Sequence, residues 1–239
     1  MQYRTISLEE TIYFWLRSDY HILGNLLRGK MDGLWKSAEI SNENAKWMLE
    51  AFENGRLTLD EKEIVRYKNR IYEKLDDEAK ANVIKIAKID ISNFLNAMKP
   101  AKKEMLLYRT ICCKREGHYD FHYDIRDYDI DDIVEFKHIS STAIAMFLED
   151  KVEPDAPFAE ELNANIDRTE FYRFEITVPE NGFILELEDY EEYSKNWWEK
   201  GEVLLPPMKC RVKNLRESEN ERCKGIIEFE YLERLPDPV

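Results

Sequence analysis

Apolar side chains recur at helical spacing through the first hundred residues. Residues 7–10, Ser-Leu-Glu-Glu, form a capping box, in which the serine and the second glutamate each satisfy a backbone N–H at a helix start. Apolar residues follow this box and recur over residues 22–28. The pattern predicts one helix after Ser7 and another around residues 22–28.

The helical pattern continues as far as Pro100. Ser41 is expected to begin a helix that ends at Gly55, because glycine readily adopts the left-handed conformation that closes a helix. Residues 58–61, Thr-Leu-Asp-Glu, form a second capping box. Apolar residues at helical spacing over residues 79–95 then predict a long last helix.

Beyond residue 104 the pattern is that of strands. Short apolar or alternating runs predict strands at residues 105–113, 133–139, 172–178, 183–188, 203–205, 210–212 and 226–231. The Pro-Glu-Asn-Gly turn at residues 179–182 predicts a hairpin between the strands on either side of it. Helices followed by strands indicate an α+β fold. We expect a single domain over residues 1–239, with a helical part at 1–100 and a sheet part at 101–239.

The two parts differ in charge. Residues 1–100 carry equal numbers of basic and acidic side chains, so the whole net charge of -14 lies in residues 101–239. Such a surface does not attract nucleic acid non-specifically. A basic protein partner, or a small ligand held in a local cationic pocket, fits this charge better.

The cysteines and the N-terminal residues indicate the cellular compartment in which the protein is made. Cys112 and Cys113 are adjacent, and together with Cys210 and Cys223 they match no zinc-ligand spacing, which indicates reduced thiols. No apolar run reaches the roughly 18 residues that a membrane helix needs, and residues 1–7 contain no basic-then-apolar signal region. We expect a cytoplasmic location as synthesised, with export by a leaderless route left open.

Polar residues stand out at four places. Residues 20–29 begin Tyr-His-Ile-Leu-Gly-Asn on an early helix, and Arg109 lies inside an apolar strand, where a guanidinium needs an anionic partner. Residues 140–142, Ser-Ser-Thr, end a strand, and Glu202 directly precedes the apolar residues 203–205. Each has an ordinary explanation by itself: an ion pair for Arg109, a turn for Ser140 and a solvated carboxylate for Glu202.

In this order the four features resemble the clostridial-type mono-ADP-ribosyltransferase toxins, a family marked by an Arg, a Ser-Thr-Ser strand and a Glu-x-Glu. The matching pieces are residues 107–109, 136–142, 176–182 and 202–206, and the resemblance runs from about Tyr20 to the C-terminus. It implies an ADP-ribosyltransferase-like fold, with a helical N-terminal part packed on two small mixed or antiparallel sheets.

The resemblance also assigns roles at a site for NAD, the co-substrate that it implies. Glu202 would stabilise positive charge on the ribose as nicotinamide leaves, Arg109 would hold the pyrophosphate, and Ser140 would order the pocket by bonding to the glutamate or the ribose. Further residues expected to bind NAD are Tyr20, Thr142 and Arg168, with Arg173 as the alternative to Arg168.

No metal is expected. His118 and His122 lie in a segment rich in Tyr and Asp and lack a convincing third ligand.

The segment before Glu202 indicates which kind of group would accept the ADP-ribose. Trp197 and Trp198 lie where relatives recognise their targets, although one of them could instead pack under the loop. Lys200 stands where transferases that modify arginine have Glu and where several others have Gln. A lysine cannot accept a proton from a target nitrogen unless its pKa falls by several units, so an arginine acceptor is disfavoured.

These features together predict NAD-dependent mono-ADP-ribosyl transfer to a macromolecule by a bacterial or phage toxin or effector. The charge favours a protein target, whereas Lys200 and the Trp pair favour RNA or DNA as the alternative. A non-catalytic binding module of the same fold is the second alternative. An antitoxin or immunity protein is a further partner to consider, and no membrane is expected.

Overall fold

The computed structural model describes residues 6–15, 20–112, 128–144, 171–190, 201–219, 221 and 223–236. The chain divides into two compact units, residues 1–97 and residues 98–238. The first unit contains helices and the second contains strands, which confirms the predicted α+β class. That the two act as one domain stays a prediction.

The helical unit is built around a small apolar core. Its helices are α1 (Leu8–Phe14), α2 (Tyr20–Leu27), α3 (Met31–Glu53), α4 (Glu61–Lys68) and α5 (Asp77–Ala97). Ile12, Leu34, Ile91 and Phe94 are fully buried within this unit. No helix in the described part of the chain is both long enough and apolar enough to cross a membrane.

Two of the predicted helix ends are confirmed by their hydrogen bonds. Ser7 Oγ accepts from the Glu10 N–H at 3.2 Å, and the Glu10 carboxylate accepts from the Ser7 N–H at 3.0 Å. Gly55 follows α3 with a φ of 68°, and the next N–H, that of Arg56, donates to Ala51 O at 2.8 Å. This bond pattern closes the helix in the way expected of a terminal glycine.

Two other predicted starts are wrong. The third helix begins at Met31 rather than at Ser41. The polar residues in its middle do not interrupt it, because they find hydrogen-bond partners outside the helix: Asn42 Oδ1 accepts from the Tyr72 N–H at 3.0 Å. The capping residue of α4 is Asp60 rather than Thr58, since Asp60 and Glu63 form the reciprocal pair of bonds at 2.8 and 2.9 Å.

The sheet unit contains nine strands within the described residues. They are β1 (Lys99–Pro100), β2 (Met105–Cys112), β3 (Ile133–Phe136), β4 (Ser140–Ala143), β5 (Phe171–Val178), β6 (Phe183–Glu186), β7 (Glu202–Leu205), β8 (Met208–Arg216) and β9 (Cys223–Arg234). Their hydrogen-bonded order is β1-β6-β7-β4-β2-β5-β9-β8-β3.

This order separates into two small sheets. Strands β2 and β4 share one residue pair in the described part of the chain, Tyr108 with Ala143. On one side of it lies the antiparallel sheet β1-β6-β7-β4, and on the other lies β2-β5-β9-β8-β3, which is mixed because β5 and β9 run parallel. The predicted pair of small mixed or antiparallel sheets is therefore confirmed.

The predicted hairpin at residues 179–182 is wrong. The turn itself forms, since the Gly182 N–H donates to Pro179 O at 2.9 Å. However, the Asn181 N–H donates to Ala101 O at 2.9 Å, and the Ala101 N–H donates to Gly182 O at 2.7 Å. These bonds place β6 beside β1, so the turn carries the chain from one sheet to the other instead of pairing β5 with β6.

An aromatic cluster forms the centre of the sheet unit. The rings of Phe174 and Phe229 meet edge to face at 5.0 Å, and those of Phe136 and Phe229 at 5.2 Å. Phe174 lies on the face of β5 that packs into this core, and its neighbours Arg173 and Glu175 alternate onto the other face. Along β5, therefore, one face is apolar and the other carries charge.

Both cysteines of the sheet unit whose side chains are described, Cys210 and Cys223, are free and buried. Burial raises the pKa of the Cys210 thiol to about 12. The thiolate, which is the reactive form, is therefore rare at neutral pH. The Cys112 side chain and Cys113 lie outside the described residues.

We predict that Cys210 resists alkylation in the folded protein. With a pKa of about 12, only about one thiol in ten thousand is ionised at pH 8. Iodoacetamide treatment followed by cleavage after glutamate leaves Cys210 in the peptide of residues 203–217, which mass spectrometry can quantify. The same treatment in concentrated urea is the control and should modify Cys210 fully. Rapid modification of the native protein would contradict the burial described above.

Candidate active site

The candidate site is centred on Glu202, the first residue of β7. Its cross-strand partner on β4 is Ala143, and Ser141 lies two residues earlier on the same strand. Residues two apart share a face of the sheet, so Ser141 is the diagonal neighbour of Glu202. Ser141 Oγ donates a 2.6 Å hydrogen bond to Glu202 Oε1. This short bond to a carboxylate fixes the orientation of a side chain that is only partly buried.

The serine that contacts Glu202 is not the one predicted. Ser140 alternates onto the opposite face of β4, where it is 1% exposed, and its hydroxyl has no hydrogen-bond partner among the described residues. The predicted contact of Ser140 with the glutamate is therefore wrong, and Ser141 makes it instead. A contact of Ser140 with the ribose stays a prediction.

Arg109 lies on β2, next to the strand that carries Ser141. Its Nη1 donates to the Ser141 backbone oxygen in a long hydrogen bond of 3.5 Å. Arg109 is partly buried, whereas Leu107 and Ile111 on the same face of β2 are buried. The partial exposure fits its place at the junction where β2 and β4 share one residue pair. The structure thus places Arg109, Ser141 and Glu202 on three adjacent strands, where Arg109 contacts the backbone of Ser141 and the Ser141 side chain contacts Glu202.

Thr142 supports the same strand pair from the other face. It is 3% exposed, and its hydroxyl donates to Val203 O at 2.6 Å. Val203 is also its cross-strand partner, so this bond adds to the backbone ladder between β4 and β7. Among the described residues, Thr142 therefore helps to fix the register of β4 against β7. Its predicted contact with NAD stays a prediction.

Arg173, the alternative phosphate ligand, is occupied by a carboxylate. It is buried, and its guanidinium lies 3.0 Å from Glu175 Oε1. Arg216 reaches the other oxygen of Glu175 at 2.7 Å and also bonds Glu228. The pKa of Arg216 is raised, first by its hydrogen bond to Glu228 and then by that to Glu175. Among the described residues Arg173 is therefore part of a buried ion pair, and its predicted contact with phosphate stays a prediction.

Several predicted site residues lie outside the described residues or have side chains outside them. Tyr20 begins α2, but its side chain is not described. Those entirely outside are Arg168, Trp197, Trp198 and Lys200. His118 and His122, at which no metal was expected, also lie outside the described residues. Within the described part of the chain, no group of three or more His, Cys, Asp or Glu side chains is placed to hold a metal ion.

A small pocket lies elsewhere, within the helical unit. Its lining includes Ile22, Ala38, Val83 and the buried ion pair of Arg70 with Asp90. Its volume of about 50 Å³ is enough for only a few water molecules. None of the residues predicted to form the active site lines it.

The fold can be compared with known proteins. No protein-family model matches the chain, and no curated protein matches it in sequence. The catalytic domain of VahC from Aeromonas hydrophila superposes with a TM-score of 0.52 at 14% identity, over 96% of this chain and 100% of that one. The catalytic domain of VsdC from the same organism gives 0.50 at 13% identity, over 95% and 100% of the two chains.

A third structure, the ADP-ribosyltransferase Vis in complex with agmatine, reaches a TM-score of 0.46 at 14% identity, over 97% of this chain and 77% of that one. Vis is a toxin of Vibrio splendidus. The fold assignment does not depend on this weaker match. At these identities the two Aeromonas domains show a shared fold, and the predicted ADP-ribosyltransferase-like fold is confirmed.

We predict that Ser140→Ala leaves the free energy of unfolding unchanged or raises it by up to about 1 kcal/mol. The mutation removes a buried hydroxyl that no described residue compensates, and a buried polar group without a partner is destabilising. Urea denaturation followed by circular dichroism measures the change. Ser141→Ala is the matched control, and it should not stabilise the protein because it deletes a hydrogen bond. A loss of more than about 1 kcal/mol in Ser140→Ala would show that its hydroxyl has a partner.

Proposed function

We propose that this protein is a mono-ADP-ribosyltransferase that uses NAD as substrate and modifies a macromolecule. The observation that carries the proposal is the 2.6 Å hydrogen bond from Ser141 Oγ to Glu202 Oε1, in a fold shared with the VahC and VsdC catalytic domains. An oriented, partly buried carboxylate at a strand end is suited to stabilising positive charge.

The residues present fit such a substrate. NAD carries a cationic nicotinamide–ribose end and an anionic pyrophosphate. Glu202 supplies negative charge, and Arg109 supplies a guanidinium two strands away in the same sheet order. A guanidinium binds phosphate oxygens by paired, charge-assisted hydrogen bonds. The two side chains therefore provide opposite charges for the two ends of one ligand.

NAD would supply the ADP-ribosyl group, with nicotinamide as the leaving group. The bond between the ribose carbon and the nicotinamide nitrogen breaks, and its electron pair leaves with the nicotinamide. The acceptor then forms a new bond to that carbon and gives up a proton to the solvent. In this scheme Glu202 stabilises the developing positive charge and accepts a hydrogen bond from a ribose hydroxyl.

Ser141 and Arg109 position the reacting groups. Ser141 holds the Glu202 carboxylate in one orientation through its hydroxyl, so the charge need not reorganise during the reaction. Arg109 reaches the backbone of the same serine, which ties the phosphate-binding strand to the strand that orients the carboxylate. Small errors in such positions lower rates strongly, because reacting groups must be aligned within a fraction of an ångström.

A protein is the favoured target. The net charge of -14 lies wholly in residues 101–239, which also contain Glu202, and such a surface repels a polyanion. Trp197, Trp198 and Lys200 favour RNA or DNA as the second candidate. We further propose a role as a toxin or effector, made in the cytoplasm and held in check by an antitoxin or immunity protein.

We predict that Glu202→Gln lowers nicotinamide release from NAD by at least about a hundredfold without unfolding the protein. The amide keeps the shape of the side chain but removes the negative charge that opposes the developing cation. Release is followed by chromatography, and folding by circular dichroism. Glu180→Gln, at an exposed glutamate in the turn before β6, is the matched control and should be as active as the wild type. Equal nicotinamide release by Glu202→Gln and the wild type would contradict the role proposed for Glu202.

Labelled NAD separates the candidate targets. Incubation with lysate protein, purified RNA or purified DNA should label the protein fraction, and the label should be lost with Glu202→Gln. Label in nucleic acid alone would support the second candidate. Failure of the wild type both to bind NAD and to release nicotinamide would support a non-catalytic module instead.

A further inference from the structure

The hydrogen-bond ladder between β6 and β7 stops just before the candidate site. Leu185 pairs with Leu204 and Glu186 with Val203, so the same register continued would place Glu188 opposite Gly201. The chain instead turns after Glu186 into a short 3-10 helix, Leu187–Asp189. The backbone of Glu188 therefore does not provide the next rung of the ladder.

The Glu188 side chain provides that rung. The Gly201 N–H donates to Glu188 Oε1 at 2.7 Å, where a regular ladder would use a backbone carbonyl. On the other side of β7, the Ile144 N–H donates to Gly201 O at 3.0 Å, one residue beyond the pair of Ala143 with Glu202. The backbone of Gly201 is thus held on both sides, by residues just after β6 and β4, immediately before Glu202.

The backbone conformation at Gly201 restricts which residues can occupy this position. Its φ of 82° lies in the left-handed region, which side-chain-bearing residues other than Asn and Asp rarely adopt. A Cβ at this position would meet Ile144 Cβ at 3.8 Å, an ordinary contact, so the restriction comes from the backbone and not from crowding. Glycine adopts this conformation without strain, and the bond from Glu188 gives its N–H a fixed partner.

We propose that Glu188 is a positioning residue for Glu202. Its carboxylate holds the Gly201 amide, and through it the backbone of the next residue, while Ser141 holds the carboxylate of that residue. Main chain and side chain of Glu202 are then fixed by two separate groups. Because Glu188 is exposed, its hydrogen bond contributes little to overall stability, and its effect is on local geometry. The inference rests on the proposed function.

The experiment compares Glu188→Ala, Glu188→Gln and Glu186→Ala in steady-state nicotinamide release from NAD. Glu188→Ala should lower kcat about tenfold and leave KM for NAD within about twofold, because the lost bond acts on the reacting geometry and not on the substrate. Glu188→Gln should recover most of the rate, since its amide oxygen still accepts from Gly201. Glu186→Ala removes an exposed glutamate two residues away and should match the wild type.

A second readout reports on the contact itself. The chain has only 8 glycines, so labelling glycine with ¹⁵N gives a simple amide spectrum in which the Gly201 peak can be assigned by Gly201→Asn. That peak should move in Glu188→Ala and stay in place in Glu186→Ala. An unmoved peak would show that the carboxylate does not hold this amide, and would overturn the inference.

The remaining outcomes separate the two proposals. If the wild type releases nicotinamide and Glu188→Ala does so equally fast, the positioning role is overturned and the proposed function stands. If Glu188→Ala releases nicotinamide normally but no longer labels the target, Glu188 acts on the acceptor and the positioning role is again overturned. If the wild type releases none, the proposed function fails and this inference fails with it.

Discussion

The register between β4 and β7 is the constraint on which the candidate site depends. It pairs Ala143 with Glu202 and so places Ser141 on the same face as the carboxylate. A slip of one residue would present Ser140 and Thr142 to that face, because side chains alternate along a strand. The bond of Thr142 with Val203 O opposes such a slip from the buried face. The two faces of β4 thus have different roles: Thr142 on one face helps to fix the register, and Ser141 on the other face orients Glu202.

Two arginines of the sheet unit share one buried carboxylate. Arg173 and Arg216 both bond Glu175, which lies buried between them in the mixed sheet. A buried carboxylate left with no cation would be strongly destabilising, so both guanidiniums are committed to the fold. Arg109 lies elsewhere, at the junction of the sheets, where its Nη1 donates to the Ser141 backbone oxygen at 3.5 Å.

Sequence reasoning succeeded where the signal was local and periodic. The capping box at Ser7, the stop at Gly55 and the change from helices to strands near residue 100 all follow from short stretches of chain. It failed where distant partners decide the outcome. Bonds from Ala101 to the turn at residues 179–182 turned an expected hairpin into a crossing between sheets, and no local feature reports this.

The candidate site shows the same division. Arg109 and Glu202 could be selected from residue type and order, and the structure brings them near each other through Ser141. The choice between Ser140 and Ser141 could not be made, because it requires the pairing register of β4. Glu188 carried no signal at all, since its role depends on a strand that ends early and on a single backbone N–H.

The bond of Ser141 with Glu202 joins residues 61 positions apart, and the strands that meet in the mixed sheet are similarly distant. Closing a long loop costs conformational entropy, so each of these pairings, including that of β4 with β7, adds to the barrier to folding. A nascent chain has no oriented carboxylate until β7 has been made and paired with β4. Unfolding the chain abolishes that orientation at once, although every side chain of the site is still present. The assembly of the candidate site is in this sense set by topology.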